Sequence, residues 1–187
     1  MKTIVWRVAP AEAPVALRPC GKCGADAAFS STGAFRVNAQ KKRLDVWLIY
    51  RCATCGVVWN CSVASRARPG SIDGEELDRF LGNDARLALR CSLDAGLLKR
   101  NGARRGPVSF TVEGPVPDDG EDCRVEIDGG FLAGVRLAEV LRKKLGVSRS
   151  ELEHLAEAGL VSGVDGTDVL SAKLGPRQAV LVRASSM

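Results

Sequence analysis

The sequence predicts a mixed α+β fold with an N-terminal zinc ribbon of β-hairpins, a short middle segment of helices and strands, and a small C-terminal α/β helix-turn-helix domain. Three observations predict this order. Two CxxC pairs bracket runs of alternating apolar and polar residues, the apolar period becomes helical from Ser71, and two short helical runs follow residue 129. The predicted segments are residues 1–66, 67–128 and 129–187.

The composition is that of an ordinary globular protein, with 187 residues of which 45% are apolar and 26% charged. The apolar runs are shorter than the roughly 18 to 20 residues that a membrane helix requires, and the first residues lack the apolar core of a signal peptide. Four of the seven cysteines lie in CxxC pairs, so reduced thiolates that bind a metal explain them better than a disulfide framework does. We therefore expect a cytoplasmic protein with no membrane partner.

The net charge is +5, and the basic excess lies at the two ends of the chain. Residues 1–70 contain 11 Lys or Arg against 3 Asp or Glu, whereas residues 71–128 contain 8 against 13. Residues 129–187 contain 8 against 6. This distribution suits a protein whose end segments contact a polyanion.

Alternation and turn residues define the predicted elements of the N-terminal segment. The stretch from Ile4 to Val8 alternates and predicts a strand. The runs AFRVN and LDVWLIYRC predict a long hairpin with a basic tip, AQKKR, and VVWNCSV predicts a further strand.

Helical signals begin after residue 70. A capping box at Asp73 and Glu76 predicts a helix that ends at Gly82. The runs VSFTVEG and CRVEIDG then alternate and predict two strands.

Two helices in quick succession are predicted in the C-terminal segment. The run VRLAEVLRKKLG has one apolar face and ends at Gly146, which can adopt the left-handed conformation. A second capping box, at Ser148 and Glu151, begins the helix in SRSELEHLAEAG. These helices form a tight helix-turn-helix.

The two CxxCG turns are the strongest chemical signal in the sequence. Each presents two thiolates on one side of a loop, and the following glycine can take the positive φ that the turn needs. The hairpin between the pairs can bring them together, so we expect a structural Zn²⁺ at Cys20, Cys23, Cys52 and Cys55. The alternatives are two disulfides, a thioredoxin-like redox pair or an iron-sulfur cluster.

The remaining cysteines and the single histidine are interpreted as structural. Cys61, Cys91 and Cys123 have apolar neighbours and are expected to be small buried residues. His154 is expected on a helix surface. Because the sequence has no Gly-rich phosphate loop, no nucleophile with a base and no open metal position, we expect no enzymatic activity.

The hairpin tip is a candidate phosphate contact through Lys41, Lys42 and Arg43. Aromatic residues interleave with the basic residues of the hairpin, and two interpretations of them stay open. They form the small core of the ribbon, or they stack on nucleic-acid bases.

The C-terminal run RLAEVLRKKLGVSRSELEHLAEAGLV resembles the RNA-binding domain named after ribosomal small-subunit protein four. The run LSAKLGPRQAVLV resembles its closing strand pair. In that family the helix-turn-helix face binds structured RNA. The resemblance therefore implies five phosphate contacts, at Arg136, Arg142, Lys143, Lys144 and Arg149.

A second resemblance covers most of the first hundred residues. The motifs CGKCG, TGAFRVNAQKKRLDVWLIYRCATCGVVWN, GNDARLALR and LLKRN are similar to those of a bacterial family catalogued as domain of unknown function 1062. This resemblance implies a zinc-binding N-terminal domain and supplies no catalytic residues.

Two functional hypotheses follow. The first is a zinc-stabilised RNA-binding protein of translation or the ribosome, whose partner is ribosomal or transfer RNA. The second is a protein-interaction adaptor built on a structural zinc ribbon, with the acidic second helix facing a basic partner. RNA binding should weaken steeply as salt rises, whereas an apolar protein interface should not.

Overall fold

The computed structural model describes residues 1–40, 43–68, 70–118, 120–130, 132 and 134–184. The fold is α+β, as predicted, and divides into two compact units. Unit 1 comprises Met1–Ala11 and Phe110–Met187, and unit 2 comprises Glu12–Ser109. Within the described ranges, no helix combines the length and apolar character needed to cross a bilayer.

The elements lie along the chain in the following order: β1 (Lys2–Pro10), β2 (Ala16–Cys20), β3 (Ala25–Gln40), β4 (Arg43–Cys52), β5 (Val58–Ala67), α1 (Gly74–Leu81), α2 (Ala85–Leu93), α3 (Ala95–Arg100), β6 (Arg104–Arg105), β7 (Phe110–Glu113), β8 (Cys123–Asp128), α4 (Leu137–Leu145), α5 (Arg149–Glu157), β9 (Val161–Gly163) and β10 (Arg177–Val182). A single 3-10 turn, Val164–Gly166, follows β9.

Unit 2 is an antiparallel sheet in the order β5-β4-β3-β2-β6, with its core on one face. Alternate residues of β4 point into that core, and Val46, Leu48 and Tyr50 have no exposed surface. The core also contains Phe80 of α1 and Leu98 of α3. The strand period of two therefore places the other β4 residues on the second face of the sheet.

Unit 1 is a mixed sheet in the order β7-β1-β8-β10-β9, together with α4 and α5. Gly146 closes α4 with a φ of 70°, as predicted. The predicted capping box at the start of α5 is also present, because Ser148 and Glu151 bond to each other's backbone N–H groups.

The unit boundaries differ from the three predicted segments. The predicted strand at Ile4–Val8 exists, but β1 runs parallel to β8 and antiparallel to β7, so residues 1–11 belong with the C-terminal part of the chain. Parallel neighbours need a long connection, which residues 12–109 supply as a folded unit of their own. Residues 67–109, predicted as a connecting segment, lie in unit 2 with the cysteine pairs.

Candidate metal centre and basic surfaces

The four predicted ligand cysteines lie together at the base of the β3–β4 hairpin. Cys20 ends β2 and Cys52 ends β4, while Cys23 and Cys55 lie in the turns that follow. All four Sγ atoms lie within 4.8 Å of one another. β3 begins directly after the Cys20–Cys23 turn, and its pairing with β4, which places Phe29 opposite Cys52, brings that turn next to the Cys52–Cys55 turn.

The two CxxCG turns have the same geometry. Gly24 and Gly56 both have a φ of 72°, which L-residues rarely adopt. The N–H group of Gly24 donates to the Cys20 carbonyl and that of Gly56 to the Cys52 carbonyl, each at 2.9 Å. Each glycine therefore closes a tight turn that holds its two sulfurs on one side.

The sulfur positions fit a tetrahedral metal ion. A Zn–S distance of about 2.3 Å places tetrahedral sulfurs about 3.8 Å apart. The Cys20–Cys55 and Cys23–Cys52 Sγ distances are 3.6 and 3.9 Å. Both exceed the roughly 2.05 Å of a disulfide bond, so the four thiols are free and the two-disulfide alternative does not fit. The four cysteines could hold a metal ion.

Backbone N–H groups favour the thiolate form of the first cysteine of each turn. The N–H group of Cys23 lowers the pKa of Cys20, and that of Cys55 lowers the pKa of Cys52 to about 6. Hydrogen bonding with the Cys55 thiol raises the pKa of Cys23 to about 12. Because a metal binds the deprotonated sulfur, ion binding at this centre displaces the proton of Cys23.

The other cysteines and the histidine lie where the sequence predicted. Cys61, Cys91 and Cys123 are buried. Desolvation raises the pKa of Cys61 to about 12 and that of Cys91 to about 11, so these thiols stay protonated and unreactive. His154 is exposed on α5.

The hairpin tip is described only in part. Lys41 and Lys42 lie outside the described residues. Arg43 is exposed at the start of β4, and its Nη1 donates to the Arg66 carbonyl at 3.3 Å.

The hairpin aromatics divide between the two faces of the sheet. Phe35 and Tyr50 are buried, and Trp59 packs against Tyr50 with ring centroids 5.0 Å apart. Trp47 is partly exposed on the second face, and the Arg36 guanidinium lies 5.9 Å from its ring. The core interpretation therefore holds for three of these rings and not for Trp47. Strand parity is the sequence signal, because positions 47 and 50 cannot share a face.

Three of the five predicted C-terminal contacts line one cleft in unit 1. The cleft has a volume of about 420 Å³, and its basic lining residues are Arg136, Arg142 and Arg149. The Arg142 Nε is buried and has no hydrogen-bond partner among the described residues. Two acids also line the cleft, and one of them, Glu153, pairs with Arg149 at 2.8 Å.

The other two predicted contacts, Lys143 and Lys144 of α4, reach across to β7, the edge strand of the unit 1 sheet. The Lys143 Nζ donates to the Phe110 carbonyl and lies 5.0 Å from its ring. The Lys144 Nζ donates to the carbonyls of Val112, at 3.3 Å, and Gly114. An edge strand has carbonyls without strand partners, and these ammonium groups supply the missing donors. Both lysines thus cover β7 instead of lining the cleft.

Comparison with known proteins agrees with one of the two resemblances. The model of the family described as "Protein of unknown function (DUF1062)" matches residues 37–167. No curated protein and no solved structure matches the chain. The match covers more than half of the sequence and includes the second CxxC pair, strands β4 to β9 and the α4–α5 helix pair. The chain therefore belongs to the DUF1062 family.

Proposed function

We propose that the protein is a zinc-stabilised RNA-binding protein that holds phosphate groups of structured RNA in the three-arginine cleft of unit 1. The observation that carries the proposal is the cleft itself. It is lined by three arginines and two glutamates, and among the described residues Arg136 and Arg142 have no ion-pair partner.

The donor set favours a structural zinc ion. Four thiolates fill a tetrahedral shell and leave no position for a substrate or water, which is the arrangement of structural zinc sites. Iron bound by four cysteines gives a coloured protein, whereas Zn²⁺ is colourless. We expect elemental analysis to find zinc in a colourless protein, and iron with visible absorption would contradict the assignment.

The chemistry of the cleft favours a phosphate ligand. A guanidinium group offers forked donors that match phosphate oxygens. The Arg142 Nε itself is buried, so a bound phosphate would meet Arg136 and Arg142 through the outer nitrogens of their guanidinium groups. No carboxylate among the described residues pairs with Arg136 or Arg142, since Glu153 pairs with Arg149 and Glu139, the other acid of the cleft, forms no ion pair.

The C-terminal sequence resemblance is the reason for proposing RNA as the source of that phosphate. Two short helices are followed by the antiparallel pair β9–β10, and Arg136 forms an isolated bridge with Lys173. The sequence of this helix pair resembles the RNA-binding domain of ribosomal small-subunit protein four, and that resemblance is the basis for proposing RNA. That domain binds folded RNA, so ribosomal or transfer RNA is the proposed partner.

The test measures RNA affinity across a salt series, using the zinc-loaded full chain and a structured RNA hairpin. The variant replaces the three cleft arginines with Gln. Each phosphate contact contributes about 0.7 to 0.9 to the slope of log K against log salt, so the variant should reduce that slope by about 2 to 3.

A matched control removes the same charge from exposed positions of unit 2, at Arg86, Lys99 and Arg104. The control should keep most of the affinity. Equal losses in both variants would mean that net charge alone attracts RNA, and no RNA binding at low salt would favour the adaptor hypothesis.

A further inference from the structure

The second face of the unit 2 sheet carries side chains that its core does not use. We call it the open face and define it by the β4 residues that alternate with the buried ones, namely Arg43, Asp45, Trp47, Ile49 and Arg51. Neither Trp47 nor Ile49 belongs to the apolar core cluster of the described residues, nor to the side chains packed against it. An apolar strip therefore runs along the centre of a three-stranded surface.

Basic and amide groups surround that strip. Strand pairing sets Arg36 on β3 and Ser62 on β5 beside Trp47, and it sets Asn60 beside Ile49. Among the described residues of β4 and the β3 and β5 residues paired with it, Asp45 is the acid on this face, and its carboxylate accepts from the Arg66 N–H at 2.7 Å. The face is thus basic, with polar groups able to bond base edges.

Trp47 differs from the other two tryptophans of the chain. Trp6 is fully buried, and its Nε1 donates to the Pro115 carbonyl at 2.8 Å. Trp59 is also partly exposed, but it packs against the core rings of Tyr50 and Phe29, with ring centroids 5.0 and 5.9 Å away, and the Arg18 guanidinium lies 4.3 Å from its ring. Trp47 is partly exposed, with the Arg36 guanidinium on one side of it. A large aromatic ring outside the core gives up burial free energy that it could recover by contact with a ligand.

We propose that the open face binds a single-stranded segment of RNA, with a base stacked on Trp47 and the phosphate backbone held by Arg36 and Arg51. This inference rests on the proposed function in assuming that RNA is the ligand. Stacking needs an unpaired base that can turn out of its strand, because the bases of a duplex are already stacked on one another. The basic charge of the face favours a polyanion over a protein surface that is apolar or lacks acidic residues.

Tryptophan fluorescence offers a direct readout of stacking. The zinc-loaded full chain is titrated with a 12-residue oligouridine and a 12-residue oligoadenosine. Because Trp6 is fully buried and the Trp59 ring already contacts the Tyr50 ring and the Arg18 guanidinium, quenching by RNA should come from Trp47. We expect Trp47→Phe to abolish the quenching, and quenching that persists in this variant would overturn the proposal.

Affinity supplies the second readout. Loss of one stacked base weakens binding by about tenfold, so Trp47→Ala should bind both oligonucleotides about tenfold more weakly. The matched control is Val5→Ala, which truncates an apolar strand residue that is 47% exposed on unit 1. Zinc content and circular dichroism should match wild type in both variants. Equal affinities of Trp47→Ala and wild type would overturn the proposal.

The cleft variant separates this inference from the proposed function. If Trp47→Ala weakens single-strand binding and the cleft variant leaves hairpin binding unchanged, the open face stands and the cleft does not. If only the cleft variant has an effect, the open face does not bind RNA. If wild type binds neither RNA, both proposals are wrong.

Discussion

Lys143 and Lys144 should contribute to folding and not to RNA binding. Each donates hydrogen bonds from an ammonium group to carbonyls of the edge strand β7. Hydrogen bonds to charged groups contribute about 1.5 to 3 kcal/mol when protected from water, and less at partly exposed positions. We assign about 1 kcal/mol to each lysine, or about 2 kcal/mol to the pair, with some coupling because they are neighbours.

The change that tests this is Lys143→Met with Lys144→Met, which keeps the apolar stems and removes the ammonium groups. Urea unfolding should show a free energy of unfolding about 2 kcal/mol lower than wild type. With a slope of about 2 kcal/mol per molar urea, the midpoint falls by about 1 M. Affinity for the RNA hairpin should fall only slightly, because the two lost charges attract RNA from a distance without contacting it.

Arg142→Met is the matched opposite. The Arg142 Nε is buried without an acceptor among the described residues, so its removal should leave the free energy of unfolding unchanged or slightly higher. RNA affinity should fall, because the cleft loses one of its guanidinium groups. The reasoning is refuted if the lysine variant is as stable as wild type and loses RNA affinity, since the lysines would then face the ligand.

Three further outcomes follow from the structure. Burial raises the pKa of Tyr50, the single tyrosine, so absorbance at alkaline pH should show no tyrosinate near pH 10 while the chain is folded. The folded state then loses stability as the pH rises above the pKa that this tyrosine has in the unfolded chain. A titration curve of an ordinary exposed tyrosine would contradict the burial. The Asn101 side-chain amide accepts from the N–H of Ser62 at 2.8 Å and donates to its carbonyl at 2.9 Å. Asn101→Ala should therefore lower the free energy of unfolding in urea by about 1 to 3 kcal/mol, and the uncovered backbone groups of β5 should promote association that increases light scattering. Unchanged stability and scattering would mean that these backbone groups need no partner from Asn101. Gly56→Ala puts a side chain on a residue with a φ of 72°, which strains the turn, whereas Gly21→Ala is a control at an open position without that strain. A lower concentration of chelator should therefore remove zinc from Gly56→Ala than from Gly21→Ala. Equal zinc retention in the two variants would contradict the role of the turn.

Features fixed by neighbours in the chain were predictable from the sequence. The CxxCG spacing determined the metal turns, since each needs only a few residues and one glycine of positive φ. The helix end at Gly146 and the capping box at Ser148 were equally local. In each case the decisive contacts join residues that are at most a few positions apart.

Features that depend on residues far apart in the chain were not predictable from the sequence. Alternation predicted β1, but nothing in that stretch indicates that Trp6 pairs with Ile127 on β8. The boundaries of the units followed from that pairing. Similarly, the five basic residues of the predicted helix-turn-helix look equivalent in sequence, and only the position of β7 separates Lys143 and Lys144 from the three cleft arginines.

The metal centre and the open face share strand β4, and this links the two proposals of unit 2. Val46, Leu48 and Tyr50 point to the core in the same phase as the ligand Cys52, whereas Trp47 points away from it. A shift of one residue would exchange the two faces, so an ion bound at Cys52 fixes the phase that exposes Trp47. Removing zinc should therefore weaken the binding of single-stranded RNA, although the proposed RNA site does not include the metal. Hairpin binding at the cleft of unit 1 should be less affected, and equal losses at both surfaces would contradict a role for β4 in that link.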